Sequence, residues 1–202
     1  MKTLKLFGLI GLIVVLISGK PLKYEIGDAV ADFRLKNVDG KMVALSDYAT
    51  AKGAIVIFDC NTCPYSRAYN DRIIALNKKY LEKGFPVITI NPNDPQMSPG
   101  DSYEEMVSQA KRKKYDFPYL VDESQAVTRS FGATNTPHVF VLQKQGSDFK
   151  VAYIGTIDNN SRDASSATKK YVEDAVDALL TGKAVPTQNT KAIGCSIKWK
   201  NS

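Results

Sequence analysis

Apolar residues recur along the chain in three rhythms, and each rhythm predicts a different element. Residues 31–48, "ADFRLKNVDGKMVALSDY", alternate apolar and polar on either side of Asp39-Gly40, the chemistry of a tight hairpin turn. Residues 53–59, "GAIVIFD", form a short continuous apolar run, as a strand buried on both faces should. The spacing then changes to steps of three and four, through Tyr65, Ala68, Tyr69, Ile73, Leu76 and Tyr80. These positions predict one face of a helix that stops near Gly84. "FPVITINPND" predicts a second buried strand leaving into a loop. Strand, helix and strand in such short order predict a parallel pair with a right-handed crossover.

Downstream, residues 92–101, "PNDPQMSPGD", read as a proline- and glycine-rich loop. A helix is predicted over 102–115, because Ser102 stands three before Glu105 in a capping-box pattern. Its acids lie at the start and its bases at the end, as the helix dipole favours. The basic run "KRKK" at 111–114 is therefore the solvated end of a helix rather than a nucleic-acid patch. Next, "TPHVFVLQKQGSDFKVAYIG" predicts two extended stretches around a turn at Gly146 to Asp148. "KKYVEDAVDALLTG" predicts a closing amphipathic helix ended by Gly182. The tail "KAVPTQNTKAIGCSIKWKNS" is mostly polar and is expected to run over the surface. Neither repeats nor a second domain are visible.

Composition adds little to this plan. The 202 residues are 44% hydrophobic, which suits one globular domain with extensions. The formal charge is +6, and discounting Lys2 and Lys5 leaves +4, too little to imply a nucleic-acid partner. Those lysines open a targeting segment, "MKTLKLFGLIGLIVVLISG", whose apolar run from Leu6 to Ile17 has the length of a signal core. It is short for a spanning helix, which takes about 20 residues. Ile17 makes a poor cleavage site, so cleavage and retention as a membrane anchor both stay open. The expected plan is a leader at 1–19, one domain at 25–182 and a tail at 183–202 carrying Cys195. The expected location is outside the cytoplasm, periplasmic or held at the membrane, where disulfides persist.

The candidate chemistry sits in "FDCNTCPYSRAYN". Cys60 and Cys63 fall between a buried strand and a helix N-terminus, where free N–H groups and the helix dipole favour a thiolate. A second thiol within one turn can resolve a mixed disulfide. Pro64 fits the first helical position, having no N–H to lose. Core cysteines, a structural disulfide and half of a metal site are the competing explanations of the spacing. The strand–CxxC–helix–strand setting favours redox chemistry.

Three segments together, "VIFDCNTCPYSRAYN", "TNTPHVFVL" and "DFRLKNVDGKMVALSDY", resemble the thioredoxin-like superfamily. More narrowly, they resemble its redoxin-domain, peroxiredoxin-like (AhpC/TSA-related) branch, as does the terminal "GCSIKW". The resemblance spans roughly residues 25–200. It implies an α/β thioredoxin fold, a central mixed β-sheet flanked by helices, with the 31–48 hairpin at its N-terminal side. By position, Cys60 and Cys63 match the redox pair, and Pro137 matches the cis-proline beside it. The backbone of Thr136 would then face the dithiol and offer an extended substrate strand somewhere to pair. Which sulfur attacks stays open: thioredoxins use the first cysteine, Cys60, whereas peroxiredoxins attack with a cysteine often followed by proline, which matches Cys63. Local geometry leans to Cys63, because a residue before proline avoids helical angles and suits an N-cap.

The chain departs from peroxiredoxins where peroxide would bind. Those proteins place a proline seven residues and a threonine or serine three residues before the attacking cysteine. Here Val56 and Cys60 precede Cys63 at those offsets, and Gly53 and Ile57 precede Cys60. The stretch around Pro137 also takes the place of the arginine that peroxiredoxins aim at the thiol, so charge on a breaking O–O bond is poorly stabilised. Asp59 would raise a nearby thiol's pKa if it faced it. His138, the only histidine, lies beside the thiols or across its strand. Cys195 is a relay thiol on the tail, a partner for another chain, or an inert side chain beneath Trp199.

The expected activity is an exported thiol–disulfide oxidoreductase acting on protein or small-molecule disulfides, fed by a thiol electron donor, with weak peroxide reduction at most. No cofactor is implied. The rival is a copper- or zinc-binding protein using Cys60, Cys63, His138 and Cys195 as soft ligands.

Overall fold

Residues 53–59, the helix after them and the strand beyond build the centre of the molecule as their patterns predict. In the computed structural model, which describes residues 23–200, the strands are β1 (Ala29–Val30), β2 (Arg34–Asn37), β3 (Met42–Ala44), β4 (Gly53–Phe58), β5 (Val87–Asn91), β6 (Tyr119–Val121), β7 (Asn135–Thr136), β8 (His138–Gln145), β9 (Asp148–Gly155) and β10 (Cys195–Ser196). The helices are α1 (Pro64–Tyr80), α2 (Tyr103–Lys113), α3 (Ala126–Phe131) and α4 (Tyr171–Leu180). The leader proposed at 1–19 lies outside the described residues.

Eight strands form one mixed sheet in the order β1-β9-β8-β4-β5-β6-β2-β3, and β10 pairs with β7 in a second, two-stranded sheet. β4, β5 and β6 run parallel, and the other neighbours are antiparallel. Every residue of β4 is buried, because the sheet is covered on both faces. Ala54, Val56 and Phe58 point into one core with Phe131 and Phe140. Ile55 and Ile57 point into the other, against Tyr69, Ile73, Leu76 and Tyr80 of α1 and Val172 and Val176 of α4. Each large aliphatic side chain buried this way stabilises the fold by about 1.5–3 kcal/mol.

The two hairpins follow their sequence signals. β2 and β3 pair across Asp39-Gly40, with Lys36 opposite Met42, and Gly40 takes φ +85°, which a side chain would resist. β8 and β9 pair around Gly146-Ser147, with a bulge between Val141 and Leu142. α2 is capped by Ser102, whose hydroxyl accepts the Glu105 N–H at 3.3 Å.

Two expectations fail. The inward face of α1 is rotated from the predicted one: Tyr65 and Ala68 are exposed, while the polar Ser66, Asn70 and Asn77 are buried. Asn77 shows why, since it donates to Asp116 at 3.1 Å and accepts the N–H of Val87 at 3.1 Å, bracing the helix to β5. The tail does not simply run over the surface either. Ile197 is buried in the core beside Phe131, and the backbone of Lys198 bonds to Asn93 and Asp94.

An aromatic cluster lies directly under the end of β4. Phe58, Phe131 and Phe140 meet edge to face at 5.0–5.8 Å, each pair adding about 0.5–1.5 kcal/mol beyond its burial. This packed floor fixes where Asp59 and Cys60 leave the sheet.

Candidate active site

Cys63 is the N-cap of α1, with extended backbone (φ −68°, ψ 126°), and Pro64 occupies the first helical position. The Cys63 carbonyl accepts the first helical bond from the Arg67 N–H at 3.0 Å. Cys60 follows the end of β4 by two residues and is buried in the same cluster as the Cys63 thiol. Facing both is Thr136, joined to Pro137 by a cis peptide bond. Its hydroxyl is 3.1 Å from Cys60 Sγ and its carbonyl oxygen 3.1 Å from Cys63 Sγ. The structure therefore brings together Cys60, Cys63, Thr136 and Pro137.

Neither thiol of the pair is open to solvent: Cys60 is 1% exposed and Cys63 2%. The cover over Cys63 is the third cysteine. Cys195 Sγ stands 2.7 Å from Cys63 Sγ, and the Cys195 N–H donates to the same sulfur at 3.4 Å. All three thiols are free. Cys195 thus joins the site from a strand 132 residues away in sequence.

The surroundings split the three thiols. Cys63 is lowered to about 4, first by the hydrogen bond from the Cys60 thiol, then by the Cys195 thiol and the N–H groups of Ser66 and Cys195, against the cost of burial. Cys60 is pushed far above the ordinary thiol value, first by donating to Cys63, then by burial and the nearby charges of Asp101 and Asp59. Burial and the bond to Cys63 raise Cys195 to about 11. A protonated Cys63 can donate to the Thr136 carbonyl oxygen or to Cys195 Sγ, and the donors around it favour the thiolate instead. Of the three thiols, Cys63 is therefore the one whose surroundings favour ionisation.

Asp59 is 3% exposed, and its Oδ1 has no hydrogen-bond partner. Burial raises its carboxyl to about 7, partly offset by the Ser66 hydroxyl and the Cys60 N–H. Asp59 also lifts the Cys60 thiol, so the two are electrostatically linked. Such an acid binds more protons folded than unfolded between pH 4 and 7. Its contribution to stability is whole below the unfolded carboxyl value and is lost as pH rises towards 7. Cys63 works in the opposite sense, its contribution being lost as pH falls towards 4. In a Cys63→Ser background, urea unfolding at pH 4.5 and 8 should show Asp59→Asn shifting the change in stability between the two pH values upward by more than about 1 kcal/mol. The buried neutral His138, which favours the fold as pH rises, acts equally in both proteins. Equal slopes with and without Asp59 would exclude the effect.

His138 takes the far-side alternative. Its Nδ1 accepts the Thr134 N–H at 3.3 Å, its ring lies 4.8 Å from that of Phe140, and burial lowers it to about 4, leaving it neutral. The soft-ligand set Cys60, Cys63, His138 and Cys195 is therefore not assembled. Among the described residues no group of three or more His, Cys, Asp or Glu has the geometry of a metal site.

One residue escaped the sequence reading altogether. Asp101, 2% exposed, accepts from the N–H groups of Asn61 (2.7 Å) and Thr62 (3.3 Å) and from the Thr62 hydroxyl (2.7 Å). Asn61 is held further by the Gly100 carbonyl and the Tyr119 hydroxyl, both at 2.9 Å. The loop at 92–101 is thus also a cradle for the two residues between the cysteines. Its only sequence signal was an aspartate next to a Pro-Gly turn.

The chain as a whole is similar to known proteins. Residues 26–152 match the AhpC/TSA family. The thiol-disulfide oxidoreductase ResA of Bacillus thuringiensis is 26% identical over 132 residues, which is 63% of this chain and 69% of that one. An uncharacterized conserved protein from Geobacillus kaustophilus superposes with a TM-score of 0.81 at 35% identity, over 89% of this chain and 94% of that one. A putative thiol:disulfide interchange protein DsbE from Chlorobium tepidum has the same thioredoxin-type fold, with a TM-score of 0.60 at 20% identity, over 78% and 99% of the two chains.

Proposed function

The chain belongs to the AhpC/TSA family, and from that premise we propose a thiol–disulfide oxidoreductase of thioredoxin-like type in which Cys63 attacks. The observation that carries this reading is the ionisable Cys63 sulfur at the mouth of α1, with the protonated Cys60 thiol against it and Thr136 touching both. The Cys63 thiolate attacks one sulfur of a substrate disulfide and releases the other as a thiolate, forming a mixed disulfide. A second cysteine of the cluster then attacks Cys63 Sγ. The substrate leaves reduced by two electrons, and the enzyme keeps a disulfide that a donor thiol must reduce. Thr136 offers the backbone edge on which an extended substrate strand pairs.

Export belongs to the same reading. The 1–19 leader takes the 25–182 domain and its tail out of the cytoplasm, cleaved or held as an anchor. Among the described residues no helix is long and apolar enough to cross a membrane. Peroxide reduction is at most a weak side activity, because Val56 and Cys60, both buried, stand seven and three residues before Cys63, where peroxiredoxins carry a proline and a threonine or serine.

Purified protein should reduce insulin or oxidised glutathione in the presence of a dithiol donor, with a measurable dithiol–disulfide couple. A potential near roughly −270 mV marks a reductant and one near −120 mV an oxidant. Stoichiometric metal in fresh protein, with all three thiols protected from alkylation, would instead establish the copper or zinc alternative.

A further inference from the structure

The edge of Thr136 is already occupied. β10 pairs antiparallel with β7, placing Cys195 opposite Thr136 and Ser196 opposite Asn135. The Asn135 side chain donates to the Gly194 carbonyl at 3.0 Å, and the Ile197 N–H reaches the Thr134 carbonyl at 3.3 Å. Beyond the strand, Lys198 and Lys200 bond to Asn93, Asp94 and Gln125, and Arg129 sits 4.5 Å from the ring of Trp199. Residues 194–200 form a strap across the site. It takes the backbone groups that a substrate strand would use, and it presents a cysteine to Cys63 as a bound substrate would.

We propose that this strap is an internal substrate strand, and that the first disulfide closed on oxidation is Cys63–Cys195 rather than Cys60–Cys63. The inference rests on Cys63 being the attacking sulfur. A protein disulfide reaches Cys63 by displacing the strap from Thr136, and the mixed disulfide is resolved when the strap returns. Cys195 then attacks Cys63 Sγ, the Cys63–Cys195 bond forms, and the substrate leaves as a thiolate that takes up a proton. Once Cys63 is in a disulfide, Cys195 has lost the negative neighbour that helped hold its proton. Cys60 afterwards attacks Cys63 Sγ and frees Cys195, moving the bond inward to the CxxC pair. The donor thiol finally reduces that pair.

Gly194 gives a handle on the strap that leaves every thiol in place. A Cβ at this position would stand 2.1 Å from the Thr136 carbonyl oxygen, a backbone atom that cannot turn aside. Gly194→Val should therefore lift the strap.

The test maps linked peptides by mass after one equivalent of oxidised glutathione, quenched over time, in the full chain and in Cys60→Ser, Cys195→Ser and Gly194→Val. The expected first product in the unaltered chain is the 63–195 link, and Cys60→Ser should still form it with release of glutathione. Gly194→Val should slow that link and speed alkylation of Cys63, each by about tenfold or more. If the unaltered chain closes 60–63 first and Cys60→Ser retains bound glutathione, the strap is only a cover and the proposal falls, although Cys63 remains the attacking sulfur. If no form reacts at Cys63, the oxidoreductase reading itself fails. The mapping in the unaltered chain decides the matter even if a variant does not fold.

Discussion

Replacing Cys63 by serine is expected to reduce disulfide reduction to the buffer background, the largest functional effect available in this chain. A hydroxyl neither ionises near neutral pH nor forms a sulfur–sulfur bond, so the first covalent step has no substitute. Cys60→Ala should behave differently. It leaves the attacking sulfur but removes the donor that does most to lower Cys63, so the thiolate should form at a higher pH. Absorbance at 240 nm, followed from pH 3 to 9 (roughly the span between the lowered value and a free thiol near 8.5), reads this directly. In the unaltered reduced protein the thiolate signal should rise with a midpoint near 4. Cys60→Ala should shift the midpoint upward, Cys195→Ala should shift it upward by less, and Cys63→Ser should abolish the low-pH step. Retained turnover in Cys63→Ser, or a low-pH step lost with Cys60 instead, would reverse the assignment of the two sulfurs.

How far the sequence discloses this site depends on how local each cause is. Strand β4 was legible because burial on both faces leaves an unbroken apolar run. The start of α1 was legible because Cys63-Pro64 is a short-range statement about backbone angles. The inward face of α1 was not, since Asn70 and Asn77 are buried by virtue of Tyr115, Asp116 and Val87, which no helical periodicity encodes. Polar residues with distant partners look like solvent-facing ones until the partners are in place. The same holds more strongly for Cys195. Its sequence surroundings describe a polar tail, and only the pairing of β10 with β7 turns it towards the dithiol. His138 could be read two ways because a strand has two faces, and packing against Phe140 decided between them.

Asp101 is the position where a single conservative change should cost the fold most. Its two carboxylate oxygens accept five hydrogen bonds, from Asn61, Thr62 (backbone and hydroxyl), Asn93 at 2.8 Å and Ser98 at 2.6 Å. A carboxylate can do this because it is acceptor-only. Asparagine has nearly the same shape, but it turns one acceptor into a donor, aimed either at the Asn61 and Thr62 amides or at the Thr62, Ser98 and Asn93 side chains. Hydrogen bonds to a charged group are worth about 1.5–3 kcal/mol each, and a buried donor left without its acceptor adds its own desolvation cost. Asp101→Asn should therefore lose about 4 kcal/mol of stability, near the upper end for one substitution, as measured by urea unfolding of the reduced protein. The chemistry should suffer separately from the fold. Asn61 and Thr62 set the separation of the two CxxC sulfurs, so loosening them should slow closure of the Cys60–Cys63 bond. Attack by Cys63, which sits on α1 itself, should suffer less. At a temperature where the variant is folded, it should accordingly accumulate species oxidised at Cys63 that have not passed to the 60–63 pair. Unchanged stability together with an unchanged rate of 60–63 closure would show that the 98–101 cradle follows the position of the dithiol rather than setting it.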